Sequence, residues 1–153
     1  MTGADLPSAT VYADASNSNV DYPRMSSLQL TCFDRRPMIR FAFDFKIGSN
    51  PNSELGYRFD DKPGVESVPS RILAGRQMIV IEEPRAVAAF AADLAGARKL
   101  YMRVRSMTSG RTSAEYELEG AAAALTAAFG ACPAAPPAAT DPARPQGNAR
   151  NAA

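Results

Sequence analysis

The chain has 153 residues, 46% of them hydrophobic and 22% charged, which is enough apolar material for the core of one globular unit. Its 17 lysine and arginine residues nearly balance 16 aspartate and glutamate residues, and the formal net charge of +1 provides no broad positive field, which disfavours nucleic-acid binding. The sequence lacks histidine, the commonest general base and metal ligand, and no apolar run approaches the roughly 18 residues of a transmembrane segment.

The first predicted elements are two strands joined by a turn. Residues 28–33 alternate apolar and polar side chains and predict a strand with Cys32 on its buried face. Residues 34–37, Asp-Arg-Arg-Pro, are typical of a turn. Residues 38–47 predict the clearest amphipathic strand of the chain, because every second side chain is large and apolar: Ile39, Phe41, Phe43, Phe45 and Ile47.

The middle of the chain predicts two further strands separated by loops. Residues 48–53 have loop composition, and residues 55–59 then alternate as a third strand. The polar, proline-containing stretch 60–69 predicts a surface loop. Residues 77–81 form a short apolar run that predicts a strand buried on both faces.

Two amphipathic helices are predicted in the second half of the chain. The first begins near Pro84, ends near Gly96 and has an apolar stripe: Val87, Phe90, Ala91 and Leu94. The second follows Gly120 and has the stripe Ala121, Leu125, Ala128, Phe129 and Cys132. If this helix packs on the sheet, the sulfurs of Cys132 and Cys32 could come within bonding distance.

Between the helices, residues 100–105 and 113–119 predict a hairpin around Gly110. One register satisfies both faces of this hairpin. Its apolar pairs are Val104–Tyr116 and Met102–Leu118. Its charged pairs are Arg105–Glu115 and Arg103–Glu117.

These elements predict an α+β fold, in which a twisted, mainly antiparallel sheet packs against two helices and carries one disulfide. Residues 9–132 are interpreted as a single domain, preceded by a flexible N-terminus at residues 1–8. Residues 133–153 are interpreted as a disordered tail, because alanine and proline without an apolar period cannot offset the entropy of ordering.

The two cysteines, Cys32 and Cys132, lie 100 residues apart, a separation that fits neither a zinc site nor a C-x-x-C redox pair. In the loop-entropy treatment a crosslink of that length contributes about 4.7 kcal/mol. Such a bond persists in an oxidising compartment. Two unrelated buried thiols in a cytosolic protein remain the alternative at this point.

Catalysis is not predicted, because the sequence contains no histidine, no G-x-S-x-G motif and no cysteine with an imidazole partner. No cofactor is predicted either. Asp60 and Asp61, with Glu66 nearby, could hold a hard cation such as Ca²⁺. Because Lys62 lies within this cluster and the spacing matches no EF-hand, a solvated acidic turn is favoured and no metal site is predicted.

The candidate binding residues are Tyr57, Arg58, Asp60, Asp61 and Arg71. Arg58 interrupts an otherwise apolar strand, and its guanidinium could pair with Asp60 or with the carboxylate of a partner. A small-ligand site would require the charged members of this set to converge in a concave pocket. The loop 108–112 has the weak appearance of an anion-binding turn.

Several of these features together resemble the C-terminal domain of VasI-like proteins associated with type VI secretion. They are a cysteine at the end of the first strand, the motif Tyr57-Arg58-Phe59-Asp60-Asp61, a helix with Phe90 and Leu94, Lys99-Leu100, Arg103-Val104, the strand 114–120 and a closing Ala-Cys. The resemblance covers roughly residues 28–132. It implies an exported accessory protein with no known catalytic activity and a disulfide between the two cysteines; the proline-rich tail departs from the family pattern.

The sequence therefore predicts a non-catalytic, periplasmic or secreted protein that binds a protein partner in the cell envelope, as a mature chain whose export signal has been removed. An exposed apolar patch is expected around Tyr57 and Phe33. The alternatives are a periplasmic small-ligand or glycan-binding domain, and an inhibitor of a periplasmic or host enzyme that acts through loop 48–54 or 106–112. The sequence leaves the oligomeric state open.

Overall fold

The computed structural model of this chain describes residues 8–130 and Cys132. Within them lie eight strands, two α-helices and a short 3₁₀ turn. In chain order they are β1 (Ser8–Asn17), β2 (Arg24–Phe33), β3 (Arg36–Phe43), the 3₁₀ turn Asn50–Asn52, β4 (Ser53–Phe59), β5 (Arg71–Ile72), β6 (Met78–Ile81), α1 (Pro84–Leu94), β7 (Lys99–Ser106), β8 (Gly110–Glu117) and α2 (Ala121–Phe129).

All the strands belong to one sheet, in the order β4-β7-β8-β1-β2-β3-β6-β5, and every pair of neighbours is antiparallel. The predicted combination of a mainly antiparallel sheet with two helices is confirmed, although the sheet dominates the fold. Ser8, which the sequence predicts to lie in the flexible N-terminus, belongs to β1. Residues 1–7 and 133–153 lie outside the described residues, so their assignment to flexible ends stays a prediction.

Strand β1 has no counterpart among the predicted strands, yet it lies in the middle of the sheet between β2 and β8. Its inward-facing side chains are small: Ala9, Val11, Ala13 and Ala15. Such a strand has little hydrophobic contrast between its faces, so its period-two pattern is weak. Small inward side chains also leave room for α2, which packs against β1 and β2.

The predicted turn between β2 and β3 is tighter than the four residues expected. Phe33 pairs with Arg36, so only Asp34 and Arg35 form the connection. Both have positive φ angles, 52° and 65°, as a two-residue turn that matches the strand twist requires. Strand β3 ends at Phe43 rather than at residue 47, although the N–H groups of Phe43 and Ile47 still donate to the carbonyls of Gln77 and Arg76.

Helix α1 packs against the apolar face of the sheet through Val87, Phe90 and Leu94. The carboxylate of Glu83 caps its first turn by accepting the N–H of Ala86 at 2.9 Å, and Pro84 occupies the first helical position. Phe90 is fully buried and contacts three aromatic rings of the sheet edge-on, with centroid distances of 4.9–6.2 Å: Phe41, Tyr57 and Phe59. The predicted apolar stripe of this helix is confirmed, and the helix ends at Leu94.

Side chains and loops cover both edges of the sheet. At one edge, the amide of Asn50 binds the backbone of β5 twice: it accepts the N–H of Ile72 at 2.7 Å and donates to its carbonyl at 3.0 Å. At the other edge, Val65 exchanges two backbone hydrogen bonds with Tyr57 of β4, at 2.8 and 2.9 Å. These hydrogen bonds occupy backbone groups of β5 and β4 that would otherwise be free at the edges of the sheet.

The predicted β7–β8 register is wrong by four residues along β8. Val104 pairs with Thr112 instead of Tyr116, and Met102 pairs with Ala114 instead of Leu118. The two strands meet at Ser106 and Gly110 across a three-residue loop, and Gly110 has the positive φ of 74° that such a loop favours. Because the shift is even, the apolar side chains keep their face, but the predicted pairs Arg103–Glu117 and Arg105–Glu115 do not form.

The predicted disulfide is present. Cys32 and Cys132 are bonded, with their Cα atoms 5.8 Å apart. Cys32 is the second-last residue of β2, and Cys132 lies shortly after α2, whose C-terminal residues Ala128 and Phe129 are buried. The bond therefore fastens the last helix to the sheet through a strand near the start of the chain.

Candidate functional site

Tyr57 is part of the core rather than of a surface. Its residue is 5% exposed, and its ring packs against those of Phe59 and Phe90. Burial, together with the charge of Asp93, raises the pKa of Tyr57 to about 12. The expectation of an exposed patch around Tyr57 and Phe33 is therefore wrong for Tyr57, although Phe33 is exposed at the end of β2. The period-two pattern that predicted β4 already placed Tyr57 on the apolar face.

Asp60 holds the backbone of the segment that enters β7. Its carboxylate accepts the N–H of Lys99 at 3.0 Å and the N–H of Arg98 at 3.2 Å. Its own N–H donates to the carbonyl of Lys99 at 3.0 Å, and its φ is positive at 49°. Asp61 beside it is exposed. In the part of the chain that the structure describes, no group of three or more acidic or cysteine side chains could hold a metal ion.

Arg71 lies far along the sheet order from the other candidates. It is on β5, whereas Tyr57 and Arg58 are on β4 at the opposite end of the strand order. Its Nε and Nη2 atoms bind the two carboxylate oxygens of Glu82 at 2.7 and 3.2 Å. This pairing raises the pKa of Arg71 and lowers that of Glu82. Arg71 is thus engaged with Glu82, and neither Arg71 nor Asp60 lines the pocket that contains Arg58.

A different set of residues surrounds Arg58 on the outer face of β4 and β7. A shallow open groove runs there between the two strands and the loop that covers β4, and we call it the Gly56 groove. It is lined by Gly56, Tyr57, Arg58, Gly64, Glu66, Tyr101 and Arg103.

Gly56 forms the floor of this groove because it has no side chain. A Cβ atom placed on Gly56 would lie 2.8 Å from Oε1 of Glu66 and 3.1 Å from the carbonyl oxygen of Val65. A glycine inside a strand often marks a place where another backbone or a ligand approaches closely. Here it allows the covering loop to approach β4 and leaves the surface concave.

Arg58 and Tyr101 form one wall of the Gly56 groove. They are directly opposite one another on β4 and β7, and the guanidinium carbon lies 5.6 Å from the centre of the tyrosine ring. Such a cation–π contact contributes on the order of 0.5–1 kcal/mol at an exposed site. Tyr101 is 38% exposed, so part of its ring stays available to a ligand.

Arg103 and Glu66 form the other wall. Nη2 of Arg103 lies 2.9 Å from each carboxylate oxygen of Glu66. The sequence suggests Glu66 only as a possible cation ligand, and it does not indicate Tyr101 or Arg103 as binding residues. Two residues signal this site in the sequence: Arg58, which interrupts an apolar strand, and Gly56, a glycine inside an otherwise regular strand.

The other basic side chains on this face are also paired. Arg105 binds Glu54 at 2.8 Å, and Lys99 lies 3.1 Å from Glu115 and 3.7 Å from Glu117. The hydroxyl of Ser67 and then Arg105 hold the pKa of Glu54 below its usual value. Among the described residues, Arg58 has no carboxylate partner on this face.

The loops considered as protruding elements are tied down by internal hydrogen bonds. In loop 106–112, Oγ of Ser106 accepts the N–H groups of Thr108 and Ser109 at 3.1 and 3.0 Å. The N–H of Arg111 donates to Oγ of Ser18 at 2.9 Å. Three backbone donors of the suggested anion-binding turn, the N–H groups of Thr108, Ser109 and Arg111, therefore already have partners. Loop 48–54 is fixed to β5 through Asn50, as described above.

Comparison of the chain with protein-family models, with curated proteins and with solved structures finds no match. Neither of the two helices in the described part of the chain has the length and apolar character to span a bilayer. The functional assignment therefore depends on the chemistry of the site.

Proposed function

We propose that this protein is a non-catalytic binding module that recognises a protein partner, and that the Gly56 groove is its contact surface. The observation that carries the proposal is the state of Arg58, which is exposed, lies over the ring of Tyr101 and has no carboxylate partner among the described residues, beside a concave strip of the sheet. Arginine and tyrosine are enriched where protein interfaces are strongest.

The shape of the groove favours a protein partner over an enclosed small molecule. Pockets for small ligands surround most of the ligand surface. The Gly56 groove is open along its length, and its floor is the backbone around Gly56. Such a surface accommodates a side chain or a segment of a larger molecule whose remainder lies outside the groove.

The proposed location is the periplasm or the exterior of the cell. A disulfide between Cys32 and Cys132 is compatible with an oxidising compartment, where such a bond persists. The sequence resemblance to VasI-like proteins fits the same location, and on that basis we propose an accessory role in the cell envelope. Neither the location nor the accessory role depends on the details of the groove.

Site-specific photo-crosslinking in the native envelope tests the proposal. A photoreactive amino acid at position 101 is expected to capture a discrete protein, and the same probe at Tyr12, an exposed tyrosine on another part of the sheet, is not. Arg58→Glu should remove the crosslinked product at position 101 while the thermal unfolding of the protein stays unchanged. Equal yields at positions 101 and 12, or a product that is insensitive to Arg58→Glu, would contradict the proposal.

A further inference from the structure

We infer that the ligand of the Gly56 groove is an acidic, extended peptide segment of the partner, whose carboxylate pairs with Arg58. This inference rests on the proposed function and specifies the chemistry of what the groove binds. Four features of the groove support this inference: the unpaired guanidinium of Arg58, the ring of Tyr101, the carboxylate of Glu66 and the open backbone floor at Gly56.

The charge pattern selects a carboxylate. Four basic side chains project from the outer face of β4 and β7: Arg58, Lys99, Arg103 and Arg105. Three of them lie within 3.7 Å of a carboxylate of this chain. Arg58 contacts the ring of Tyr101 instead and, among the described residues, donates no side-chain hydrogen bond. Its five N–H donors are therefore available to an incoming acid.

The ring of Tyr101 preorganises the side chain of Arg58 for binding a carboxylate. Arginine side chains lose rotamer freedom when they bind, which costs on the order of 1–2 kcal/mol when the side chain is fully mobile beforehand. Contact with Tyr101 limits this motion before the ligand arrives, so less entropy is lost on binding. The same ring offers an apolar surface to the ligand atoms next to the carboxylate.

Glu66 on the opposite wall of the groove favours a peptide ligand over a phosphate or sulfate ion. Glu66 keeps its carboxylate at the groove, where it is about half exposed and paired with Arg103. A dense dianion near Arg58 would be repelled by this carboxylate. A peptide segment carries N–H donors close to its acidic side chains, so it can satisfy Arg58 and Glu66 at once.

The experiment titrates the full-length, oxidised, isotope-labelled protein with two peptides whose ends are acetylated and amidated. In the acidic peptide leucine alternates with glutamate, and in the control peptide leucine alternates with glutamine. The acidic peptide is expected to shift the amide resonances of Gly56, Gly64 and Tyr101 saturably. The glutamine peptide should bind at least about tenfold more weakly, the usual loss when a charge-assisted pair is removed.

Two variants identify the receiving cation. Arg58→Gln should weaken binding of the acidic peptide about tenfold. The matched control Arg105→Gln, on the neighbouring strand and already paired with Glu54, should leave the affinity unchanged. The amide spectra of the free variants report whether each one is folded, so a loss of binding is not confused with a loss of structure.

Equal affinity for both peptides, no shift at Gly56 and Gly64, or an Arg58→Gln variant that binds normally would overturn the inference. Stronger binding of inorganic phosphate or of a uronic-acid oligosaccharide at the same resonances would also overturn it, in favour of that anion. If these titrations fail while crosslinking at position 101 still captures a partner, only the acidic ligand is wrong. If the peptide binds but no partner is captured, the proposed function is wrong.

Discussion

At the scale of single residues, the chemical type of a side chain did not decide its role in this protein. Asp60 and Arg71 both looked like ligand-binding groups in the sequence. In the folded chain, Asp60 accepts two backbone N–H groups before β7, and Arg71 binds Glu82. Arg58 keeps an unoccupied guanidinium among the described residues. The difference lies in which groups the fold places next to each side chain.

The role of Asp60 can be tested by substitution. Asp60→Ala removes the carboxylate that accepts the N–H groups of Arg98 and Lys99. It also places alanine, whose side chain makes no hydrogen bond, at a φ of 49°. We expect a loss of about 1–2 kcal/mol in the free energy of unfolding, measured with urea. Asp60→Asn should lose less, because asparagine tolerates this backbone conformation and keeps an acceptor oxygen.

The neighbouring Asp61→Ala serves as the control, because Asp61 is exposed and neutral changes are typical of such positions. If Asp60→Ala and Asp61→Ala unfold at the same urea concentration, the backbone-holding role of Asp60 is incorrect.

At the scale of elements, the two helices and most strands formed where local patterns indicated, β1 and β5 were not predicted, and the pairing of β7 with β8 differed from the prediction. The β7–β8 hairpin shows why. An even shift of register leaves the apolar face intact, so burial alone does not distinguish the two alternatives. The three-residue loop closed by Ser106 and Gly110 selects one of them. Arg103 and Arg105 then find Glu66 and Glu54 outside the hairpin.

The docking of α1 depends mainly on Phe90. This side chain is fully buried among Phe41, Tyr57 and Phe59, which belong to two strands at distant positions in the sheet. Phe90→Ala should lower the free energy of unfolding by about 3–5 kcal/mol, because the cavity cannot collapse without moving both strands. Urea denaturation followed by far-UV circular dichroism measures this loss.

Phe33→Ala provides the matched control, since the same side chain is 58% exposed at the end of β2. We expect a change of less than about 1 kcal/mol there. A loss at Phe90 no larger than that at Phe33 would show that α1 is not held through this aromatic cluster.

At the scale of the whole molecule, the disulfide joins the end of the described chain to its sheet. Helix α2 has nine residues, mostly alanine, and a helix of that length is marginal when isolated in water. Its stability therefore comes from packing on β1 and β2 and from the bond between Cys32 and Cys132. The buried side chains of α2 itself are Ala121, Ala128 and Phe129.

Reduction of the disulfide should consequently lower the melting temperature markedly, with up to about 4.7 kcal/mol lost for a closed loop of this length. Amide hydrogen exchange should become fast first in α2 and at the end of β2, because these are the two segments that the bond joins. A double Cys32→Ser, Cys132→Ser variant should melt like the reduced protein. Superimposable melting curves of oxidised and reduced protein would refute this account.

The sequence indicated most of the local structure, and the candidate site only in part. Alternation in residues 38–43 and the stripe of α1 were readable because large side chains mark the buried face. Strand β1 was missed because its inward side chains are mostly alanine. Arg58 was identified from its position in an apolar strand, whereas Tyr101 and Arg103 were not, since nothing local relates β7 to β4.

The sequence by itself determined the period of most elements, their inward faces and the position of the two cysteines, because these depend on residues that are neighbours in the chain. Tertiary structure decided the register of β7 and β8 and the central position of β1 in the sheet. It also decided which groups bind Asp60 and Arg71, and it placed Arg58 against Tyr101 beside Gly56. The physical reason is that strand pairing and ion pairing join segments far apart in sequence, and several pairings satisfy the same local pattern equally well.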